Sequence, residues 1–237
     1  MSDTALVEGR SCRERVNARR MAVLVDAAEY FGRLRQALLQ ARHSILIAGW
    51  DVDSRCPLVG RAGEPDDGAP TQLRPFLAEM ARRRPELQVR ILLWDYAVLY
   101  ALEREAFPRL NLGWRTPEQV RVCLDDVIPL GASHHQKIVV VDDELAFCGG
   151  LDLTIRRWDV SEHPAIHPRR RDPAGEPYEP FHDVQAMVEG EAARALSRLF
   201  RERWERTSHI ELPAMAGEEG QQASPWPGDL TPDFQDL

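Results

Sequence analysis

The stretch His134-His135-Gln136-Lys137-Ile138-Val139-Val140-Val141-Asp142, followed after six residues by Gly149-Gly150-Leu151-Asp152, decides how this chain is read. Lys137 is its only lysine, against 29 arginines. A position that keeps lysine in so arginine-rich a chain calls for a compact ammonium charge rather than a planar guanidinium fork. The β-branched run 138–141 favours a strand. Side chains alternate along a strand, so His135 and Lys137 project to the same side. By the same parity Asp142 falls on the opposite face or in the turn Asp142-Asp143-Glu144, where its job is to anchor the strand end.

An imidazole beside a fixed cation suits attack on a phosphodiester, and Gly149 and Gly150 on the adjoining strand let a ligand approach the backbone closely. A histidine with an unperturbed pKa near ~6.5 keeps a neutral, nucleophilic fraction without heavy tuning. Lysine would neutralise the non-bridging oxygens as the transition state forms. The plainer alternative makes His135 a surface histidine at the start of a core strand. The lone lysine, the spacing and the paired glycines together favour the catalytic reading.

His135-x-Lys137-x4-Asp142-x6-Gly149-Gly150 resembles the signature of the phospholipase D superfamily, the HKD motif. Gly149-Gly150-Leu151-Asp152-Leu153 with Arg157-Trp158-Asp159 is similar to its lipid-acting branch. Further segments resemble the N-terminal half of such enzymes in wording and order: Gly49-Trp50-Asp51-Val52-Asp53-Ser54-Arg55, Leu93-Trp94-Asp95-Tyr96 and Phe181-His182-Asp183-Val184-Gln185. The resemblance covers roughly residues 8–210. It implies a covalent phosphohistidine formed on His135, with Lys137 gripping the phosphate and Gly149, Gly150, Asp152 and Arg157 at the substrate. It also implies a second histidine, from a second motif, as general acid. With one lysine the chain holds a single H-x-K. Asp152 stands where many members carry asparagine.

Asp183 is the candidate carboxylate for orienting His135 through its other ring nitrogen, which would fix the tautomer and stabilise the charged form. The other reading is that Asp183 only begins the strand 184–188. His182 reads as structural.

At 237 residues with 43% hydrophobic content, the chain has enough apolar material for one substantial domain. A net charge of -8 argues against holding nucleic acid over a broad basic surface. Arg156-Arg157 and Arg169-Arg170-Arg171 lie near the motif in sequence, where they could meet lipid headgroups, but they and Arg82-Arg83-Arg84 read first as solvated surface charge. Cys12, Cys56, Cys123 and Cys148 are scattered, without C-x2-C pairs or a secretory signal, as free thiols in a reducing, cytoplasmic compartment would be. Cys148 reads as a small buried apolar residue. His163-x3-His167 lies in a proline-rich loop without further ligands, so no metal and no other cofactor is called for. No apolar run approaches the ~20 residues that span a bilayer, which leaves peripheral contact with a membrane surface.

Asp26-Ala27-Ala28-Glu29 predicts a capping box, followed by a helical stripe through Tyr30, Leu34, Leu38 and Ala41. Strands are predicted at 44–50, 89–94 and 184–188, a half-buried strand through Val120, Val122 and Leu124, and a motif hairpin over 137–148. Helices are predicted at 75–84, 97–107 and 191–206. Alternating helices and strands indicate an α/β fold, and the resemblance makes it an α-β-α sandwich with a mixed central sheet, phospholipase D-like. Residues 1–210 are expected to form one domain with one HKD motif. Residues 161–180 read as a long excursion that gates lipid entry, and 211–237 as a flexible, proline-rich tail or linker.

The resulting expectation is a phospholipase D-like phosphodiesterase or phosphatidyltransferase acting on phospholipid. Its second motif would come from a homodimer partner or a missing C-terminal half. A nuclease of the same superfamily, with nucleic acid disfavoured by the charge, and an inactive half serving as an interaction module are the alternatives.

Overall fold

The computed structural model describes residues 5–95, 105, 110–114, 116–129, 132–214 and 224–237. Along the chain come β1 (Arg20–Val25), α1 (Asp26–Gln40), β2 (Ser44–Gly49), α2 (Leu73–Arg83), β3 (Gln88–Trp94) and β4 (Val120–Asp125). They are followed by β5 (Ile138–Val141), β6 (Leu145–Gly149), β7 (Val184–Glu189), α3 (Glu191–Ser208) and β8 (Phe234–Gln235). One sheet orders them β4-β3-β2-β5-β6-β7-β1-β8. The β2–β3 and β3–β4 pairs are parallel and the other pairs antiparallel, so the sheet is mixed.

Strand alternation divides the core into two layers. Val139, Val141, Ile45, Ile47, Phe147 and Met187 meet α1 and α2 through Phe31, Leu34, Leu38, Phe76 and Met80. Ile138, Val140, Leu46, Ala48 and Ala146 face the other way, onto Phe200 and Trp204 of α3. Helices on both faces of a mixed sheet make the expected α-β-α sandwich.

The helical stripe of Tyr30, Leu34, Leu38 and Ala41 is buried as its spacing predicts. The capping box does not form. Asp26 sits at φ 66, α1 has no side-chain cap, and Glu29 instead pairs with Arg33. The helix predicted at 97–107 lies almost wholly outside the described residues. β1 was not anticipated, although Ala22 and Leu24 alternate inward in it.

Residues 224–237 depart from the expected flexible tail. Trp226 is buried, with its indole N–H donating to the Leu230 carbonyl, and Phe234–Gln235 adds an antiparallel strand to β1. One buried aromatic and a two-residue strand leave no periodicity for a sequence reading to find.

Candidate active site

The C-terminal ends of β2, β3 and β6 and the N-terminal ends of β5 and β7 lie at one end of the sheet, because β2 and β6 each run antiparallel to β5. Gly49-Trp50, Trp94, His135 and Lys137, and Gly149-Gly150 therefore converge there, each at or just beyond a strand end. Lys137 is buried at 7% exposure, whereas His135 is open to solvent. Their shared side, predicted from strand parity, is realised: Lys137 Nζ lies 3.4 Å from His135 Nε2.

Asp152 holds the lysine. Its Oδ2 is 2.8 Å from Lys137 Nζ, while its Oδ1 accepts the backbone N–H groups of Trp50 at 3.0 Å and Asp51 at 3.2 Å. A buried ammonium so paired is a fixed point charge. The Trp50 ring meets the His135 ring edge-on at 5.9 Å, stacks on Trp94 at 5.9 Å and has Lys137 Nζ 6.0 Å from its centre. Neither tryptophan stood out chemically in the sequence, though both lie in segments that resemble the family. The cavity beneath Lys137, lined by Tyr30, Gly49, Val52, Leu151 and Asp152, has a volume of about 10 Å³, room for one water at most. A substrate must come from the exposed His135 side.

Backbone blocks a side chain at Gly149, and the Asp183 carboxylate occupies the space at Gly150. A Cβ on Gly149 would meet the Val184 carbonyl oxygen at 2.4 Å, and one on Gly150 would meet Asp183 Oδ1 at 2.1 Å. The glycines admit the neighbouring strand and its carboxylate, not only a ligand. Asp183 packs on Gly150 and its Oδ1 accepts the Val184 N–H at 2.7 Å. No hydrogen bond joins Asp183 to His135 among the described residues. Continuing the β5–β6–β7 register places the two on the same face of the sheet, two strands apart.

Asp142 lies at the far end of β5. It accepts the backbone N–H groups of Arg42 (2.7 Å), His43 (2.8 Å) and Ser44 (2.8 Å), which ties the motif strand to the start of β2. That geometry makes it an anchor of the strand end, at the opposite end of β5 from His135. Arg157 stacks on Phe181 at 4.5 Å and, among the described residues, makes no polar contact with His135, Lys137 or Asp152.

A second cluster forms around Asp26. His182 Nδ1 lies 2.7 Å from Asp26 Oδ1, and His163 Nε2 lies 3.3 Å from Asp26 Oδ2. These three residues have ligand atoms within 4.8 Å of one another and could hold a metal ion. The sequence had paired His163 with His167, which instead packs on Trp158. His163 Nδ1 is 3.0 Å from the buried carboxylate of Asp159, and this bond holds the imidazole pKa above its ordinary value. Arg170 reaches both Asp159 oxygens at 3.1 Å and the Pro164, Ala165 and Tyr178 carbonyls. With 2% exposure it is not the surface charge that was expected, and it ties the excursion 161–180 down. Cys148 is half-buried rather than buried, and desolvation raises its thiol pKa.

A family model described as Phospholipase D matches residues 125–222. Among curated relatives, a phospholipase D of Phytophthora infestans is 26% identical over 223 residues, covering 76% of this chain and 12% of the relative. Phospholipase D alpha 1 of Cynara cardunculus is 29% identical over 212 residues, covering 71% of this chain and 26% of the relative. The chain thus spans about a quarter or less of the length of these relatives. NucT from Helicobacter pylori aligns with a TM-score of 0.49 at 14% identity, over 78% of this chain and 96% of that one. Among the described residues no helix is long and apolar enough to cross a membrane.

Proposed function

We propose that the chain is a phosphodiesterase of the phospholipase D superfamily, acting on phospholipid by hydrolysis or by transfer to an alcohol. The observation that carries this reading is the exposed His135 imidazole, 3.4 Å from an ammonium that is itself buried and fixed by Asp152. In the proposed reaction a His135 ring nitrogen attacks phosphorus and the headgroup oxygen leaves, so that a phosphohistidine forms. Lys137 neutralises the non-bridging oxygens. Water or an alcohol then attacks the same phosphorus, and the His135–phosphorus bond breaks.

The departing oxygen must take a proton. The chain has one H-x-K, and the proton would come from the histidine of a second motif, supplied by a second copy of this chain across a two-fold axis or by a C-terminal half. Asp183, on the same face as His135, would move by a side-chain rotation to orient the imidazole in that assembly. The relatives named phospholipase D support a lipid substrate, and peripheral contact with a membrane surface goes with it.

The test is hydrolysis of a short-chain phosphatidylcholine, with and without a primary alcohol, over a range of protein concentrations and against His135→Ala. Specific activity that rises with concentration and vanishes in the variant supports a site assembled from two copies. Activity restored only by an added C-terminal half assigns the second motif there. Cleavage of single-stranded DNA without lipid turnover would overturn the substrate class.

A further inference from the structure

His135 and Lys137 alternate along their strand with His134 and Gln136, whose side chains point away from the site, toward α3. There they meet a buried charge pair. Arg203 of α3, at 5% exposure, donates through Nε (3.2 Å) and a terminal nitrogen (2.9 Å) to Oδ2 of Asp125, which is fully buried at the end of β4. Its other terminal nitrogen donates to Gln136 Oε1 at 2.6 Å, and His134 Nε2 lies 3.2 Å from the same Asp125 oxygen.

Asp125 also reaches the site by a second route. It stands opposite Trp94 in the β3–β4 register, its carbonyl accepts the Asp95 N–H at 3.0 Å, and Trp94 stacks on Trp50, the ring that touches His135. The motif strand is thus gripped from its reverse side and its aromatic wall is fixed from the same residue. Phe200 and Trp204, packed in the core under the sheet, hold α3 and with it Arg203 in place.

We infer that Arg203 is a positioning residue for the proposed reaction: clamped to Asp125, it fixes Gln136 and thereby sets the plane and height of the His135 imidazole over Lys137. Its planar fork is what the geometry uses, since it binds a carboxylate on one side and an amide oxygen on the other. Burial by itself would raise the Asp125 pKa, but the hydrogen bonds and charge of Arg203 help hold it below its ordinary value. The inference rests on His135 being the reacting group.

The test compares three variants of the full chain. Arg203→Gln removes the clamp, and Gln136→Leu cuts only its link to the motif strand. Arg201→Gln, two residues before Arg203 on α3 and paired with Asp143 instead, is the control. The first readout is the imidazole resonances and titration of His135 by NMR, assigned with His135→Ala. They are expected to shift in Arg203→Gln and Gln136→Leu and to stay in place in Arg201→Gln. The second readout is kcat for short-chain phosphatidylcholine, expected to fall roughly 10- to 100-fold in both clamp variants with KM nearly unchanged. Should Arg203→Gln fail to fold, Gln136→Leu decides alone. Unmoved His135 resonances in a folded Gln136→Leu chain would overturn the inference. Absence of lipid turnover in the parent chain would sink the phosphodiesterase reading instead, and the resonances would still settle the positioning role.

Discussion

Lys137 and Asp152 form an ion pair of 2.8 Å with both side chains at most 6% exposed, and the carboxylate's second oxygen holds the backbone at Trp50 and Asp51. Removing one partner of a buried pair strands the other charge, which typically costs about 3–5 kcal/mol. Asp152→Ala is therefore expected to lose stability on that scale. Asp152→Asn keeps an oxygen for the two N–H groups and should lose clearly less. Urea unfolding of the parent and both variants gives the comparison. A parent-like midpoint in Asp152→Asn would mean that the charge of Asp152 contributes nothing, and equal midpoints in the two variants that the oxygen held by Trp50 and Asp51 contributes nothing.

The same pair sets the requirement at position 137. Arginine keeps the positive charge but replaces a compact ammonium with a wider fork in a space bounded by Asp152, Trp50 and His135. Lys137→Arg is expected to fold and to lose most turnover, roughly tenfold or more, with substrate binding less affected. Steady-state kinetics of the purified variant checks this, and parent-like kcat would remove the lysine from the proposed mechanism.

Gly149 and Gly150 are next to each other yet differ in what blocks a methyl group. At Gly149 the obstacle is the Val184 backbone oxygen, and at Gly150 it is the carboxylate of Asp183. Overpacking typically costs about 1–3 kcal/mol. Gly149→Ala is expected to remain destabilised whatever stands at 183. Gly150→Ala should be rescued in large part by Asp183→Gly, so that the double variant unfolds later than the sum of the single losses implies. Additive losses at Gly150 and Asp183 would show that the two do not press on each other.

The motif and its hairpin were legible because the information is local: β-branched residues at 138–141, a tight turn and paired glycines lie within a few residues of His135. The position of Asp142 could be read from strand parity for the same reason. The grip on the motif strand was not legible, since Asp125 and Arg203 meet across 78 residues and neither looks unusual in its own segment. Arg170 misled for a related reason. An arginine triplet reads as surface charge until the fold brings Asp159 beneath its middle member. Trp50 and Trp94 occur in segments that resemble the family, but only the parallel pairing of β2 with β3 makes them one aromatic wall.

Glu189 carries an acid dependence. It is completely buried between Arg19 and Arg20, and although burial raises its pKa, hydrogen bonds from Arg20, Ser224 and Arg19 outweigh it and hold the carboxyl below its ordinary 4.5. A carboxyl with a lowered folded-state pKa contributes its full stability above the unfolded value and loses it as pH falls through the folded value. Arg20→Gln should therefore be destabilised at neutral pH. The gap from the parent chain should narrow as pH drops below that ordinary value. Denaturation midpoints of both chains at several pH values give the trend, and a gap that stays constant in acid would mean the interaction is not ionic.

Asp142 tests whether membership of the motif implies a part in the chemistry. Its carboxylate satisfies three consecutive backbone N–H groups, of Arg42, His43 and Ser44, at the end of β5 opposite to His135. Hydrogen bonds to a charged group contribute about 1.5–3 kcal/mol each, and buried donors left without a partner add to the loss. Asp142→Ala is thus expected to lose about 1.5–3 kcal/mol or more, because the buried Ser44 N–H is left without an acceptor, while those of Arg42 and His43 lie nearer the solvent. Asp142→Asn retains one of the two acceptor oxygens and should fall between the parent and the alanine variant. If the residue only anchors the strand, kcat per folded molecule stays at the parent value in Asp142→Asn below its unfolding temperature. A large fall in kcat with an unchanged denaturation midpoint would place Asp142 in the catalytic group.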